Sequence, residues 1–482
     1  MESVERFEPT RESLMQYSVP QWFKDAKLGI FIHWGVYSVP AFANEWYARN
    51  MYQQGSPEFK HHAETWGDHT QFGYKDFIPM LTAEKFDPES WIDLFKRAGA
   101  QYVVPVAEHH DGFPMYDTAL SEWNAAKMGP KRDIVAALAT AARNQGLAFG
   151  VSNHHAEHWW FFDGGRKFPS DVQDPRYDGL YGPAVEASPA AAHTSEEWAN
   201  KDWRPRPDAK FLEDWLARCC ELVDKFQPQV FWFDWWIEQA VFEPYLQRFA
   251  AYYYNHVADP VLQYKLEAFP RGAALLDIER GKLSDIREDY WQTDTSVSYK
   301  SWCYVEDDLF KSVTTLVHDL VDVVSKNGNL LLNVGPKPDG TIPLEASERL
   351  LGLGDWLRVN GEAIYGTRHW KTFGEGSTTV SGHMREHEDK PFNAQDIRFT
   401  SRDQTLYAIC LGWPGESAVI KSLGSGSLLS AEQIDSIGLL GSSEALSWSQ
   451  RDDGLHITTP SQRPCDHAYA FKITLTEASG TS

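Results

Sequence analysis

Carboxylates and imidazoles stand at the ends of several short apolar runs in this chain. Asp234 follows VFWF, His33 follows LGIFI, and His109 and His110 end a third run. The sequence Asn-His-His at 153–155 ends a fourth run. Carboxylates act as nucleophiles or proton donors, whereas imidazoles bind hydroxyl groups, move protons or ligate metal ions. These positions are therefore the first candidates for a functional site.

Asp234 is the acid with the most unusual surroundings. It lies in QVFWFDWW, residues 229–236, among five aromatic side chains. An ionised carboxylate in apolar surroundings is costly unless it is paired or hydrogen-bonded. Residues two apart on a strand share one side of it, so Trp232 and Asp234 are predicted to face one pocket. Phe231 and Phe233 are then predicted to point the other way, into packing.

Runs of strand length alternate with amphipathic runs of helix length before residue 365. This alternation predicts a parallel sheet with helical cover, and at least six strand–helix units favour a (β/α)8-like barrel in the α/β class. A doubly wound sheet is the alternative, but no G-x-G-x-x-G turn follows a strand. The predicted strands are 28–35, 101–112, 147–155, 229–234, 261–266 and 329–336, and the predicted helices are 90–100, 133–146, 211–228, 243–258, 307–328 and 348–361.

Two insertions are predicted in this pattern, at 51–80 and 163–208. After about residue 370, helical periodicity gives way to short alternating segments separated by turn residues. We therefore predict a catalytic barrel domain over 1–366 and a small antiparallel β-sandwich over 367–482. We expect the sandwich to brace the barrel.

In such a barrel, catalytic groups lie at the carboxyl ends of the strands, so the polar residues at the predicted strand ends are candidates for an active site. Taken singly, His33 suits a core histidine and Asp234 suits a helix cap or an ion-pair partner. Asp277 and Glu279, in the stretch LLDIERG after the fifth predicted strand, suit a solvated turn. Polar groups at five such places favour an active site over five separate structural roles.

Charge and composition narrow the class of partner. Lys and Arg number 45 against 68 Asp and Glu, which gives a formal net charge of −23. This balance argues against nucleic acid and against an anionic membrane, because both need a basic surface. The 20 Trp residues suit sugar rings, which have apolar C–H faces and polar hydroxyl groups, and equally suit an aromatic-rich core.

Cysteine usage and the N-terminus indicate the compartment. The five cysteines are odd in number, form no C-x-x-C pair, and include adjacent Cys219 and Cys220 in a predicted helix. The first residues, MESVERFEPTRES, contain no apolar segment of a signal peptide, and no run approaches the roughly 20 residues of a membrane helix. A cytoplasmic location without a membrane partner is predicted, and the oligomeric state is left open.

Metal binding is the main chemical alternative, since several histidines could ligate Zn²⁺. HHAEHWW is not the H-E-x-x-H motif, and neighbouring histidines at a strand end are expected to point to opposite sides. We therefore predict no metal and no other cofactor. The histidines in question are His109, His110, His154, His155 and His158.

Five segments together make the chain similar to the α-L-fucosidases of glycoside hydrolase family 29. They are WFKDAKLGIFIHWGVYSVPAFANEWYARNMY, EHHDGF, FWFDWW, SWCY and SKNGNLLLNVGPKPDGTIP, and the similarity covers about residues 15–366. The resemblance implies a (β/α)8-like catalytic domain followed by a β-sandwich. It also implies exo-acting hydrolysis of terminal α-L-fucosyl residues of oligosaccharides or glycoconjugates, with retention of configuration.

The resemblance also implies roles for individual residues. Asp234 is the implied nucleophile. Many members have Trp-Glu where this chain has Trp291 and Gln292, and Gln cannot protonate a leaving group. The implied acid/base therefore falls in LLDIERG, where Glu279 is preferred and Asp277 is second. The residues implied to line the fucose pocket are His33, Glu45, Trp46, His109, His110 and Trp232.

Two further departures from the family pattern add candidates. Ser152-Asn153-His154 stands where many members have Tyr-Tyr or Tyr-His, and Lys265 is the nearest cation to a usual Arg position. An inactive fucose-binding protein and a barrel metallohydrolase built on the histidines are the alternatives to a fucosidase. The additional candidate site residues are Asn153, His154, Lys265, Asp277 and Trp302.

Overall fold

The computed structural model describes residues 7–187, 204–427 and 429–476. Its first part is a closed barrel of eight parallel strands in chain order. The barrel strands are β1 Leu28–Ile32, β2 Tyr102–Glu108, β3 Ala148–Asn153, β4 Val230–Phe233, β5 Val261–Tyr264, β6 Leu275–Glu279, β7 Trp291–Ser296 and β8 Gly328–Val334. The described α-helices are α1 Arg11–Leu14, α2 Gln21–Ala26, α3 Tyr47–Asn50, α4 Pro57–Thr65, α5 Pro88–Arg97, α6 Ile134–Gln145, α7 Asp178–Tyr181, α8 Ala209–Phe226, α9 Glu243–His256, α10 Val313–Ser325 and α11 Leu344–Asn360.

The C-terminal region forms two antiparallel sheets, and the predicted barrel-plus-antiparallel fold is confirmed. One sheet has five strands in the order β13-β16-β11-β10-β9, and the other has three in the order β12-β15-β14. Their bounds are β9 Arg368–Glu375, β10 Ile397–Arg402, β11 Thr405–Cys410, β12 Ser417–Ile420, β13 Ile434–Leu439, β14 Trp448–Arg451, β15 Gly454–Thr458 and β16 Tyr469–Leu475.

The barrel strands are covered on both sides, which explains why their sequences are nearly continuous apolar runs. Every residue of β2 and β8 is buried. The helix between β2 and β3, α6, has an ordinary cap at each end. The Asp133 side chain accepts a hydrogen bond from the backbone N–H of Ala136 at 2.8 Å, and Gly146 ends α6 with φ of 80°.

The sequence did not predict two of the barrel strands. LLDIERG was placed after the fifth predicted strand and was not predicted to be a strand itself, but Leu275–Glu279 is the sixth strand. Trp291–Ser296, which was not predicted, is the seventh. The polar residues Asp277, Gln292 and Asp294 break the apolar pattern of these strands. All three side chains are nevertheless buried in the structure.

The predicted insertions differ in how much of them can be described. The first contains α4 and a 3₁₀ helix at Tyr74–Met80. Residues 188–203 of the second lie outside the described residues. The long helix expected from 307 begins at Val313, after the N-cap Ser312.

The five cysteines are free thiols. The described helices include none long and apolar enough to cross a membrane.

Buried contacts join the C-terminal sheets to the barrel helices. The Asp322 carboxylate on α10 contacts Lys326 Nζ at 2.7 Å and Arg398 Nε at 2.6 Å, and all three side chains are buried. The indole N–H of Trp356 on α11 donates to the carbonyl of Ala468 at 2.8 Å. These contacts agree with the bracing role expected for this region.

Candidate active site

A cavity of about 600 Å³ opens at the carboxyl end of the barrel. All eight residues predicted to be catalytic or sugar-binding line it, together with three of the additional candidates. Its lining comprises His33, Glu45, Trp46, His109, His110, His154, Arg204, Trp232, Asp234, Trp235, Lys265, Leu266, Glu279, Asp294, Trp302, His383 and Met384.

Two candidates lie behind the cavity wall. The Asn153 Oδ1 accepts the backbone N–H of His155 at 3.1 Å, so its side chain serves the turn after β3. Asp277 is buried within the barrel, where its Oδ2 accepts a hydrogen bond from Gln292 Nε2 at 2.5 Å. Neither residue is among those that line the cavity.

Asp234 stands at the centre of the cavity, directly after β4. Its Oδ1 accepts the backbone N–H of Trp235 at 2.8 Å, and its Oδ2 lies 3.0 Å from His154 Nδ1. Burial alone raises the pKa of Asp234, but Lys265 and the His154 hydrogen bond outweigh it and hold the pKa well below the usual value. Asp234 is therefore an ionised carboxylate in an apolar setting, which is the state that a nucleophile needs.

Lys265, directly after β5, is the cation of the site. Its Nζ lies 3.4 Å from Asp234 Oδ1, 2.5 Å from Glu279 Oε2 and 3.6 Å from Asp294 Oδ2. It also lies 4.6 Å from the centre of the Trp232 ring. Burial lowers the pKa of Lys265, but the surrounding carboxylates outweigh it and raise the pKa well above the usual value. One ammonium group thus links three acids.

Asp277 and Asp294 form a hydrogen-bonded pair of carboxyl groups below the cavity. Both have an Oδ1 atom without any other hydrogen-bond partner among the described residues. Burial and the charge of Asp277 raise the pKa of Asp294 well above its usual value. The pair therefore shares one proton, which Asp294 carries and Asp277 accepts.

The imidazole of His33 is held in one tautomer. Asn333 Nδ2 donates to the carbonyl of Trp302 at 2.7 Å, and Asn333 Oδ1 accepts the backbone N–H of His33 at 3.1 Å. The same oxygen lies 2.7 Å from His33 Nδ1, so the ring hydrogen is on Nδ1. Nε2 is therefore left as a hydrogen-bond acceptor.

His109 and His110 both line the cavity, which corrects the expectation that they point to opposite sides. The alternation of a strand does not apply to them, because β2 ends at Glu108. His110 Nδ1 donates to the carbonyl of His154 at 3.0 Å, which leaves Nε2 as an acceptor 3.5 Å from Asp234 Oδ2. Burial, partly offset by Asp234, lowers the pKa of His110 to about 3, so the ring is neutral.

Glu45 is a second carboxyl group with an altered pKa. One of its oxygens accepts the backbone N–H of Trp302 at 3.2 Å. Burial raises the pKa of Glu45 to about 7. This group is therefore a hydrogen-bond donor at acidic pH and a carboxylate at alkaline pH.

Comparisons with known proteins identify the family. A profile of the α-L-fucosidase family matches residues 1–362, and a profile of the α-L-fucosidase C-terminal domain matches residues 389–474. The chain belongs to the α-L-fucosidase family. It is a glycoside hydrolase, and its substrates are fucosylated glycans.

Relatives of the α-L-fucosidase family match along nearly the whole chain. Human tissue α-L-fucosidase is 32% identical over 497 residues, which span 98% of this chain and 94% of the relative. Rat tissue α-L-fucosidase is 31% identical over 486 residues, which span 97% and 92%. A Thermotoga maritima α-fucosidase structure with a mechanism-based inhibitor has a TM-score of 0.78 and 34% identity, and covers 97% of this chain and 100% of its own.

Six lining residues of the fucosidase cavity were missed by the sequence analysis. Asp294 belongs to the unrecognised strand β7, and His383 and Met384 come from the region after the barrel. Of the remaining three, Arg204 lies in the predicted insertion 163–208, Leu266 ends the predicted strand 261–266, and Trp235 directly follows the predicted strand 229–234. A search for polar or aromatic residues just beyond strand ends would have found Trp235. No sequence pattern indicates His383 or Met384, because they approach β6 from about a hundred residues away.

Four residues at turns around the cavity have a left-handed backbone conformation. Positive φ angles occur at Trp236 (82°), Leu266 (57°), Arg280 (41°) and Met384 (59°). Each of these residues comes within two positions of a cavity side chain. Such a conformation costs a side-chain-bearing residue about 1–2 kcal/mol, so packing elsewhere must hold it. The strain turns the chain sharply at the points where the site residues project.

Proposed function

We propose that this α-L-fucosidase is a retaining, exo-acting enzyme that uses Asp234 as nucleophile and Glu279 as acid/base. The supporting observation is that Lys265 Nζ contacts both carboxylates, at 3.4 Å and 2.5 Å. Asp234 Oδ1 and Glu279 Oε2 can therefore be no further apart than the sum of these two distances. This upper limit is compatible with the separation of roughly 5–5.5 Å between the two carboxyl groups of retaining glycosidases. It is shorter than the separation of roughly 6.5–9.5 Å in inverting glycosidases.

The proposed reaction has two displacements at the anomeric carbon. In the first, an Asp234 oxygen bonds to this carbon while its bond to the leaving oxygen breaks, and Glu279 gives its proton to that oxygen. In the second, Glu279 takes a proton from water, which attacks the same carbon and releases Asp234. Two inversions return the original configuration.

Lys265 has to change partners during these steps. Its ammonium group contacts Glu279 Oε2 at 2.5 Å, and Glu279 must gain a proton before it can act as the acid. The Asp234 carboxylate lies 3.4 Å from the same nitrogen, so it can retain the ammonium group when it moves away from Glu279. The proton shared by Asp277 and Asp294 keeps the total negative charge around Lys265 low.

The histidines suit the hydroxyl groups of the sugar. His110 Nε2 and Asp234 Oδ2 are both acceptors and face each other at 3.5 Å. A hydroxyl group beside the anomeric carbon can donate to them, and this hydrogen bond strengthens as positive charge develops on the ring. His33 Nε2 is a second acceptor, and Trp46 and Trp232 offer apolar surface to the ring and its methyl group.

Stereochemistry and rescue of inactive variants test the proposal. With an aryl α-L-fucoside, NMR should show α-L-fucose as the first product. Asp234→Ala should abolish turnover, and azide should restore activity to Glu279→Ala but not to the matched variant Asp277→Ala. β-L-Fucose as the first product contradicts retention. Azide rescue of Asp277→Ala alone transfers the acid/base role to Asp277.

A metallohydrolase is the second candidate, because two side-chain groups have metal-binding geometry. His33, His109 and His154 form one, and His110, His154 and Asp234 form the other, with ligand atoms within 4.8 Å of one another. Both include His154, whose Nδ1 and Nε2 already contact Asp234 and Ser152 at 3.0 Å and 2.9 Å. A metal ion would displace one of these contacts. The effect of a chelator on kcat/KM separates the two functions.

A further inference from the structure

Residues 381–389, called the strap here, come from the region after the barrel and lie against the end of β6. A Cβ atom on Gly281 would lie 2.2 Å from the carbonyl oxygen of Gly382, so the two backbones approach as closely as glycine allows. Three backbone hydrogen bonds join the segments: Met384 N–H to Glu279 O at 2.7 Å, Glu386 N–H to Arg280 O at 2.9 Å, and Lys282 N–H to Ser381 O at 2.9 Å.

Ion pairs fix the strap in this position. The Glu386 carboxylate contacts Arg280 Nη1 at 2.7 Å and Lys311 Nζ at 2.8 Å, and Asp389 contacts Lys282 Nζ at 2.6 Å. Burial raises the pKa of Glu386, but Lys311 and Arg280 outweigh it and lower the pKa to about 2. Glu386 is therefore ionised at neutral pH, and the strap is a fixed part of the cavity wall.

The strap stands between two cavities. His383 and Met384 line the fucose cavity, beside Glu279. A second cavity of about 560 Å³ shares Arg204, Leu266 and His383 with the first. Gly382 of the strap also lines this second cavity, and Leu276, Ile278 and Leu283 give it apolar walls.

The side chains at this junction combine apolar surface with a hydrogen-bond donor. Leu266 is 42% exposed and Met384 is 50% exposed. The backbone N–H of Glu279 donates to His383 Nδ1 at 3.2 Å, so the hydrogen of the neutral ring is on Nε2. An apolar face beside a hydroxyl group is the chemistry of a sugar ring.

We infer that His383, Met384 and Leu266 form the binding site for the sugar that is released from fucose. The inference rests on the proposed function, since Glu279 must protonate the oxygen of that sugar and the strap is hydrogen-bonded to Glu279. The second cavity provides the space into which a longer glycan continues. Residues 381–388 of the strap lie between the two segments that match the family profiles.

Leaving groups of different size test the inference. The wild-type protein and the variants Met384→Ala, Leu266→Ala and His383→Phe are assayed with methyl α-L-fucoside. They are also assayed with the fucosyl disaccharide that the wild type hydrolyses fastest among α1,2, α1,3, α1,4 and α1,6 linkages. The ratio of kcat/KM for the disaccharide to that for the methyl glycoside should fall about tenfold in each variant, because only the disaccharide reaches these side chains.

Two matched substitutions control for loss of apolar surface. Met15 is 49% exposed and Leu344 is 70% exposed, and neither lines a cavity described here. Met15→Ala and Leu344→Ala should leave the ratio unchanged. An unchanged ratio in Met384→Ala, Leu266→Ala and His383→Phe overturns the inference, and so does an equal loss on both substrates. A wild-type protein that hydrolyses neither fucoside overturns the proposed function itself.

Discussion

The two walls of the fucose cavity differ in charge. The histidine wall, formed by His33, His109, His110 and His154, follows β1 to β3. The charged wall, formed by Lys265, Glu279 and Asp294, follows β5, ends β6 and lies within β7. Burial lowers the pKa of His33 and His109 well below the usual value, whereas Lys265 keeps its charge because carboxyl groups surround it.

Under the proposed function, this difference assigns sugar recognition to the histidine wall and bond cleavage to the charged wall. The neutral imidazoles of His33, His109 and His110 offer acceptors and donors to hydroxyl groups without attracting an ion. A buried ammonium group is retained only where carboxylates compensate it, which is the arrangement around Lys265. Asp234 lies between the walls, 3.0 Å from His154 and 3.4 Å from Lys265. Asp234, the proposed nucleophile, therefore depends on both walls, and each can be altered separately.

Lys265→Met breaks the charged wall and should have the largest effect. Removing one partner of a buried ion pair costs about 3–5 kcal/mol, so kcat/KM for an aryl α-L-fucoside should fall about 10²- to 10³-fold. Lys265 is the main group that lowers the pKa of Asp234. That pKa should rise in the variant, and the acidic limb of the kcat/KM profile should move to higher pH. Lys265→Arg keeps the charge and is the control; a loss below about fivefold in Lys265→Met contradicts this role.

Substitutions of Asp277 and Asp294 sharpen the description of the charged wall. Asp294→Asn retains a hydrogen donor toward Asp277, so kcat/KM should change less than about threefold. Asp277→Asn keeps an acceptor for only one of Gln292 and Asp294 and places its amide donor against the other, so kcat/KM should fall about 10- to 100-fold. Steady-state kinetics measures kcat/KM of both variants, and thermal unfolding checks that both are folded. The reverse order of effects would assign the proton to Asp277.

Glu45→Gln examines a cavity carboxyl group that accepts a hydrogen bond from the backbone of Trp302. Because the pKa of Glu45 is about 7, the group is protonated below this pH and ionises above it. If the neutral form binds substrate, wild-type kcat/KM falls above about pH 7, and Glu45→Gln should lack this alkaline limb. The profile is recorded between about pH 5 and pH 9. Loss of activity at every pH would instead make Glu45 the proton donor.

Chelation should have the smallest effect. If the histidine wall binds only sugar, EDTA leaves kcat/KM unchanged. Added Zn²⁺ should inhibit hydrolysis of the aryl α-L-fucoside, and the inhibition should be competitive with this substrate. The reason is that His33, His109 and His154 can ligate the ion in the place of the sugar. Activity lost with EDTA and restored by Zn²⁺ would establish the metallohydrolase.

The histidine wall was predictable and much of the charged wall was not. His33, His109 and His154 each follow a short run of mainly apolar residues, so their places at strand ends can be read directly. Asp294 is on a strand whose inward-facing side chains are polar, which hides the strand from an apolar pattern. Lys265 was only the nearest cation in the sequence; its three carboxylate contacts depend on how β4 to β7 close around it.

The sequence by itself determined the family, the barrel and the identity of the acid after β4, because these depend on local runs and motifs. It also indicated that Trp232 and Asp234 share a side, since strand alternation is a local property. Only the tertiary structure decided which groups are charged, because burial and pairing set the pKa values of Asp234, Asp294 and Glu45. The tertiary structure alone also brought His383 and Met384 to Glu279, because that contact joins segments about a hundred residues apart.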